Sequence, residues 1–360
     1  MGNERCGKVH RWCSLAAKWY RNARPRAIAQ SLMPSLLAVT IAAGNTGFRI
    51  IPAVVAVFGV LCAHLGMNLA DDWFDYKTDM LSDRDRVIRK GFRAMMTKYS
   101  YLTDGSASPA DLAAAIFTFF GIAGACCATV FIYWGMHSGF FTVDGSWWVA
   151  AITGACAFLG LFYSAPPLKL AYRGLGEIVI GIIFGPLLMC GVHYSACGTI
   201  SAEVVWISVP VGLLVLNILF THSFIEKESD AESNKMTLVR LIDSDRANMA
   251  AVYIINFLPF LMIAGAVAAG RLHPAYLAVM LMVPRSCYLC SSLGGFARGV
   301  TEAPERPPRW LGPMPGWEGI RQRGTDWFLL RWMTARNILS GFCLIILAVR
   351  LSLIAIEYFI

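Results

Sequence analysis

The chain has 360 residues, of which 57% are hydrophobic and only 15% are charged, and its formal net charge is +8. A soluble domain usually carries about 25% charged residues, so this composition argues against a soluble enzyme. Many of the eleven cysteines lie inside apolar runs. A reduced thiol behaves there as a small hydrophobic group, so we predict no disulfide framework.

The first 27 residues are rich in Arg and Lys, with Trp12 and Trp19 among them. No apolar core and no small-residue cleavage site follow at the distance typical of a secretion signal. We interpret residues 1–27 as a basic segment at the membrane interface and expect no nucleic-acid partner. Residues 28–360 are predicted to form one transmembrane domain.

Nine apolar runs follow along the chain, most of them close to the 20 residues that span a bilayer as a helix. The sequence therefore predicts an all-α, polytopic membrane bundle of about nine transmembrane helices. The predicted spans are residues 28–44, 50–70, 110–135, 147–165, 177–195, 202–224, 249–269, 274–296 and 336–358.

The loops between these spans differ sharply in their content of Lys and Arg. One set is strongly basic, whereas the other contains only Arg49 and Arg271. Basic loops stay in the cytoplasm, so we expect a cytoplasmic N-terminus in a multi-pass protein of the cell membrane. Residues 298–335 are predicted to be a cytoplasmic connection that ends in an interfacial helix at 326–333.

The second span ends in an acidic stretch that runs from Asn68 to Asp79. At 100° per residue, Asn68 and the four aspartates of this stretch fall within an arc of about 100° on one helix face. A charge inside a membrane helix costs roughly 2.5–3.5 kcal/mol, so this face requires a compensating cation. The alternative interpretation is a solvated acidic helix end.

The sixth span ends in His222-Ser-Phe-Ile-Glu226-Lys-Glu-Ser-Asp230, where Glu226 and Asp230 share a helix face. The predicted topology places both acidic ends on the cytoplasmic side, where carboxylates could hold Mg²⁺ around one diphosphate. The predicted metal ligands are Asp71, Asp72, Asp75, Asp79, Glu226 and Asp230. The predicted diphosphate-binding residues are Lys77, Arg84, Arg86 and Lys235, with Lys227 nearby.

These motifs resemble those of the UbiA superfamily of membrane prenyltransferases. The pattern NDxxDxxxD is matched by Asp71-Asp72-Trp-Phe-Asp75-Tyr-Lys-Thr-Asp79, with Asp in the first place, and DxxxD is matched by Glu226 to Asp230. The stretch Lys235-Met-Thr-Leu238 is similar to the family's GK-x-TL. A third stretch, from Tyr163 to Glu177, resembles a loop of the dihydroxynaphthoate prenyltransferases of menaquinone synthesis.

The resemblance implies a Mg²⁺-dependent enzyme that joins a polyprenyl diphosphate to an aromatic acceptor at the cytoplasmic side of the bundle. The expected acceptor is 1,4-dihydroxy-2-naphthoate, and Asn68, Tyr163 and His222 are the candidates for binding it. Other acceptors, such as 4-hydroxybenzoate, homogentisate or a chlorin, remain open. So do a cation-coupled transporter and an inactive scaffold, although transporters place their sites near the bilayer midplane.

Overall fold

The computed structural model of the chain describes residues 14–82, 99–142, 145–232 and 235–359, without the side chains of residues 78–82, 358 and 359. Within these ranges nine helices are long and apolar enough to cross a membrane. They are α1 (Pro25–Ala43), α2 (Ile50–Ser82), α3 (Pro109–Ser138), α4 (Trp147–Ser164), α5 (Gly176–Cys197), α6 (Ala202–Ile225), α7 (Asp245–Ala268), α8 (Pro274–Ala297) and α9 (Asp326–Phe359). The described residues form no strand, and the prediction of an all-α bundle of about nine spans is confirmed.

Local sequence explains where several of these helices begin. Ser108 accepts a hydrogen bond from the backbone N–H of Asp111, whose side chain accepts one from the Ser108 backbone in return. Ser201 and Ser244 cap α6 and α7 through their hydroxyl groups. Because the first N–H groups of a helix have no partner within the helix, these caps fix the starts of α3, α6 and α7.

Helix α6 is the central element of the bundle. It packs against α5, α7 and α9. In the most apolar part of α6, 72% of the residues are buried, compared with 11% in α3. A pair of amides joins it to α7, with Asn217 and Asn256 each donating to the other's oxygen at 2.9 and 3.2 Å. Such pairs satisfy polar groups that would otherwise be costly in an apolar environment.

Helices α5 and α6 cross with their backbones in contact. A methyl group added at Gly212 would lie 2.5 Å from the carbonyl oxygen of Gly181, and one added at Gly185 would lie 2.6 Å from the carbonyl oxygen of Ser208. Small residues allow membrane helices to approach this closely. Near this crossing α5 contains a π-helical turn, Ile183–Leu187, which includes Pro186.

Arg285 and Arg350 are charged residues within the predicted spans, and both have hydrogen-bond or ion-pair partners. Arg285 donates to the carbonyl oxygens of Trp310 and Asn337, and so joins α8 to the connection that precedes α9. Arg350 lies 3.6 Å from Glu203, which also accepts a hydrogen bond from the hydroxyl of Tyr276. The contacts among Arg350, Glu203 and Tyr276 tie α6, α8 and α9 together at the end of the bundle where α6 begins.

The connection before α9 is folded against the ends of α8 and α9. Leu311, Trp317 and Ile320 form a small apolar cluster with Leu330 and Met333. The segment 326–333, expected as a separate interfacial helix, is the first two turns of α9, which is 34 residues long. At 1.5 Å per residue α9 is about 50 Å long and therefore exceeds the bilayer core of about 30 Å.

Candidate active site

The acidic residues of α2 lie near its C-terminal end and are drawn into the protein. Asp72 is fully buried, and Asp75 is buried at 7% exposure. The hydroxyl of Ser164, at the end of α4, donates to Asp71 Oδ1 at 3.0 Å. The hydroxyl of Tyr172 donates to Asp75 Oδ1 at 2.8 Å. The predicted acidic face is therefore turned inward and held by neighbouring elements.

Arg24, from the segment before α1, enters this acidic face. Its Nη2 atom lies 3.0 Å from Asp72 Oδ1 and 3.6 Å from Asp71 Oδ2, and it donates to the carbonyl oxygen of Asn68 at 2.7 Å. Burial acts to lower the pKa of the guanidinium, but the attraction of Asp72, Asp71 and Asp75 outweighs it and the pKa lies above its ordinary value. Arg24 thus supplies part of the positive charge that the sequence requires here.

The short helix Ser100–Thr103 supplies a second contact to the same carboxylate. Tyr101 donates from its hydroxyl to Asp72 Oδ2 at 2.9 Å, and its ring meets Trp19 edge to face at 5.7 Å. Burial, followed by the charge of Asp72, raises the pKa of Tyr101 well above its ordinary value. The phenol therefore stays protonated and remains a hydrogen-bond donor.

The second acidic end follows α6. Glu226 and Asp230 are each 1% exposed, and the hydroxyl of Ser229 donates to Glu226 Oε2 at 2.7 Å. Lys235 donates from its backbone N–H to the carbonyl oxygen of Asp230 at 2.9 Å, and Arg240 donates to the same oxygen at 3.2 Å. The chain thus folds back on itself, so that Lys235 lies beside the acidic pair.

The loop between α4 and α5, residues 165–175, joins the two acidic ends. Tyr172 contacts Asp75 through its hydroxyl, and the ammonium group of Lys235 lies 5.9 Å from the centre of its ring. Gly174 donates from its backbone to the carbonyl oxygen of Met236 at 2.8 Å. The structure therefore brings residues 71–75 and 226–230 to the same end of the bundle, linked through one loop.

Glu177, at the start of α5, connects α6 to the segment that follows the second acidic end. Its carboxylate is 4% exposed and accepts hydrogen bonds from the hydroxyl of Ser223 at 2.7 Å and from the backbone N–H of Leu238 at 3.3 Å. Ser223 lies one turn before Glu226, and Leu238 follows the turn that carries Lys235. Glu177 thus fixes α6 relative to the segment that carries Lys235.

The remaining predicted residues lie in different surroundings. Lys77 is exposed, with its ammonium group 4.5 Å from the ring centre of Trp73. Asn68 donates from its amide to the carbonyl oxygen of Ala23 at 3.0 Å, so it holds the segment that carries Arg24. Residues Arg84 and Arg86 and the side chain of Asp79 lie outside the described residues.

The two aromatic candidates for the acceptor have different neighbours. Tyr163 is half-buried at the end of α4, packs close to Gly176, and lies within electrostatic reach of Asp71, Glu177 and Asp75. The ring of His222 meets Phe328 of α9 edge to face at 5.0 Å. Tyr163 therefore lies near the carboxylates of the first acidic end and Glu177.

Several residues of this site lie outside the predicted set. Arg24, Tyr101, Tyr172 and Glu177 contact acidic residues or the segments that carry them, yet none was predicted as a ligand or a binding residue. Glu177 is a carboxylate at the N-terminus of an apolar run, which is a signal that could have marked it. The contacts of Arg24 and Tyr101 join positions 29 or more residues apart, and no local pattern indicates them.

The donor set suits Mg²⁺. Among the residues that the structure describes, no three Asp, Glu, His or Cys side chains converge into a closed metal cluster. Instead, buried carboxylates occur at two separate helix ends. Mg²⁺ is usually bound by one or two carboxylates together with water and substrate phosphates, rather than by an all-protein cage. Carboxylates on two helix ends at the same end of the bundle are compatible with that mode of binding.

The described residues form a polytopic helical bundle with buried carboxylates at one end, beside lysine and arginine. The model of the UbiA prenyltransferase family matches residues 31–293, and the chain belongs to that family. It is therefore a membrane-embedded prenyltransferase.

Curated relatives agree with this assignment. The chain is 23% identical over 264 residues to the 1,4-dihydroxy-2-naphthoate octaprenyltransferase of Bacillus subtilis, which covers 73% of this chain and 77% of the relative. It is 25% identical over 233 residues to the Mycobacterium tuberculosis protein of the same name, covering 63% and 71%. A shorter match, 40% identical over 96 residues, links it to the 2-carboxy-1,4-naphthoquinone phytyltransferase of Synechocystis and covers 26% of this chain and 31% of that one.

Solved structures show the same fold. A UbiA homologue from Archaeoglobus fulgidus bound to GPP and Mg²⁺ superposes with a TM-score of 0.54 at 14% identity, covering 92% of this chain and 99% of the homologue. At this identity the similarity establishes the arrangement of the helices.

Proposed function

We propose that this protein transfers a polyprenyl group from its diphosphate to 1,4-dihydroxy-2-naphthoate, as in menaquinone synthesis. The main support is the link through Tyr172, which brings the acidic ends of α2 and α6 to one site. The naphthoate acceptor follows from the relatives in Bacillus subtilis and Mycobacterium tuberculosis, whose names state that substrate.

The acidic residues of both ends would hold Mg²⁺. The proposed ligands are Asp71, Asp72, Asp75, Asp79, Glu226 and Asp230. When bound, Mg²⁺ would neutralise the diphosphate and make it a better leaving group. The Mg²⁺ in the Archaeoglobus homologue supports this choice of metal.

The basic residues of the chain would bind the diphosphate beside these carboxylates. Lys77 and Lys235 flank the two acidic ends, and we propose the same role for Arg84 and Arg86. As the allylic carbon–oxygen bond breaks, its electron pair leaves with the diphosphate, so fixed positive charge at this place lowers the barrier. The apolar spans below the site exclude water from the electron-deficient allylic carbon.

The acceptor would lie between the isoprenoid and the carboxylates. Asn68, Tyr163 and His222 are the proposed contacts, and Tyr163 lies near Asp71 and Asp75 of the first acidic end. The ring carbon that carries the carboxylate would form the new bond to the allylic carbon. For dihydroxynaphthoate, the carboxyl group then leaves as CO₂, and its bonding electrons restore the aromatic ring.

The decisive assay supplies membranes that contain the protein with labelled polyprenyl diphosphate and with either dihydroxynaphthoate or 4-hydroxybenzoate. We expect product from dihydroxynaphthoate only, and none after chelation of divalent ions. Product in the presence of chelator would contradict the metal site. Product from 4-hydroxybenzoate alone would show that 4-hydroxybenzoate, and not dihydroxynaphthoate, is the acceptor.

Two substitutions locate the site within the same assay. Asp72→Asn and Asp230→Asn should each reduce turnover about 100-fold or more, because each removes a buried charge from one acidic end. Glu228→Gln is the matched control, since Glu228 lies in the same turn as Asp230 but is exposed. Normal turnover in either Asn variant would remove that residue from the site.

A further inference from the structure

A groove of about 270 Å³ lies between α7 and α8, outside the acidic site. Its lining is formed by Met249, Tyr253, Phe257, Cys287, Cys290, Ser291, Gly294 and Arg298. The α7 residues recur every four positions, and the α8 residues recur at intervals of one to four, so each helix presents one stripe to the groove. None of these residues contributes to the proposed reaction.

The two stripes run in opposite directions and give the groove two unlike ends. Met249 meets Gly294 at one end, where the methionine methyl would lie 3.5 Å from a side chain added at Gly294. Phe257 lies eight residues further along α7, about 12 Å deeper into the bundle. The rings of Tyr253 and Phe257 are nearly parallel, with 11° between their planes and 6.4 Å between their centres. The deep part of the groove is therefore apolar and flat-walled.

Arg298 provides the charge at the shallow end. Its Nη1 atom would lie 3.7 Å from a side chain added at Gly294, so the guanidinium folds back over the helix towards the groove. Among the residues that the structure describes, no carboxylate lies within ion-pair distance of Arg298. A cation at the shallow end of a groove with apolar walls complements a lipid that has an anionic headgroup and an apolar tail.

We propose that this groove binds a membrane phospholipid with an anionic headgroup, whose phosphate lies at Arg298 and whose acyl chain follows Tyr253 and Phe257. The shallow end belongs to the same end of the bundle as the acidic site, because α7 begins at Asp245, directly after the segment that carries Lys235 and Leu238. In the predicted topology this is the cytoplasmic leaflet, which is rich in anionic lipid. The proposal does not depend on the reaction that the enzyme performs.

Native mass spectrometry of the purified, detergent-solubilised protein tests this proposal. Phosphatidylglycerol and phosphatidylcholine with identical acyl chains are added in turn, and glycerol phosphate is added alone. We expect phosphatidylglycerol to be retained preferentially and glycerol phosphate not to be retained, because the acyl chain contributes binding. Arg298→Gln should weaken phosphatidylglycerol binding about five-fold, the effect of one basic residue at a lipid surface.

Three further variants separate this site from general basic character. Arg309→Gln removes an exposed arginine from the same connection and should leave retention unchanged. Arg298→Lys keeps the charge and should preserve the preference. Gly294→Leu fills the groove and should reduce retention of both lipids, with the melting temperature measured to confirm folding. Equal retention of the two lipids by the wild type, or equal loss in the Arg298 and Arg309 variants, would overturn the proposal.

Discussion

Tyr172 donates from its hydroxyl to Asp75 of the first acidic end, and its ring lies beside Lys235, which follows the second acidic end. The hydroxyl holds one carboxylate oxygen of Asp75 in place. The aromatic face stabilises a nearby ammonium group by its quadrupole. A substitution that removes only the hydroxyl therefore tests the orientation of Asp75 and leaves the packing of the ring in place.

We predict that Tyr172→Phe lowers turnover about ten-fold, because a hydrogen bond to a charged group contributes roughly 1.5–3 kcal/mol. The melting temperature should fall by only a few degrees, since one hydrogen bond is lost but the ring is retained. Tyr133→Phe, in α3, removes a hydroxyl far from the acidic residues and should have no effect on turnover. Equal turnover of wild type and Tyr172→Phe would show that this hydrogen bond is not used.

Tyr101 gives a prediction about pH. Burial and the charge of Asp72 raise its pKa, so the phenol of the folded protein keeps its proton at pH values where an ordinary tyrosine, with a pKa of about 10, ionises. The unfolded chain then binds fewer protons than the folded one. Stability should consequently be independent of this group below pH 10 and fall as the pH rises above it.

The absorbance of phenolate near 295 nm measures this directly. The difference in absorbance between wild type and Tyr101→Phe should stay near zero on titration to pH 10.5 in the folded protein, and should appear on denaturation. An ordinary phenolate signal in the folded protein would contradict the buried contact with Asp72.

The sequence predicted the carboxylates of the site but not the groups that hold them. Acidic residues near the end of an apolar run stand out because such a position is costly for charge. Arg24 and Tyr172 lie among other basic and aromatic residues in interfacial segments, where either residue type is common. Only the folded chain distinguishes the arginine that enters the acidic face from its neighbours.

At the level of helices, the crossing of α5 and α6 determines how the second acidic end is placed. Gly181, Gly185 and Gly212 allow the two backbones to touch, and Glu177 lies at the start of α5, beside Ser223 of α6. A change at the crossing would therefore be transmitted along α6 towards Glu226.

We predict that Gly212→Ala destabilises the protein by about 1–3 kcal/mol, because the added methyl would meet backbone atoms that cannot rotate away. Gly265→Ala makes the same change at an open position of α7 and should be neutral or slightly stabilising. Thermal unfolding in detergent compares the two. Similar melting temperatures would show that the crossing adapts.

The nine spans were predictable because about 20 apolar residues have few alternatives in a bilayer. The start of α9 was placed ten residues too late, at 336 instead of Asp326. Trp327, Arg331 and Trp332 give this part an interfacial composition. The first turns of α9 pack against the connection that precedes them. A hydropathy pattern could not indicate this packing.

For the molecule as a whole, the distribution of Lys and Arg predicts that the acidic site faces the cytoplasm. A protease recognition sequence inserted at Gly316 should be cut in inside-out vesicles and protected in right-side-out vesicles. The same insertion at Gly270 should behave in the opposite way. Both glycines lie in open turns where an added side chain meets no atom, so the insertions are matched. Cleavage of both in one orientation would contradict the topology.

The contacts around the acidic site span a long stretch of the chain, from Arg24 to Arg240. During synthesis, Arg24 is made before α2 and therefore cannot meet Asp72 until that helix has followed. The ring of Tyr172 likewise has no Lys235 beside it until that later residue has been made. A nascent chain that stops before Lys235 would thus be inserted in the membrane with these contacts incomplete.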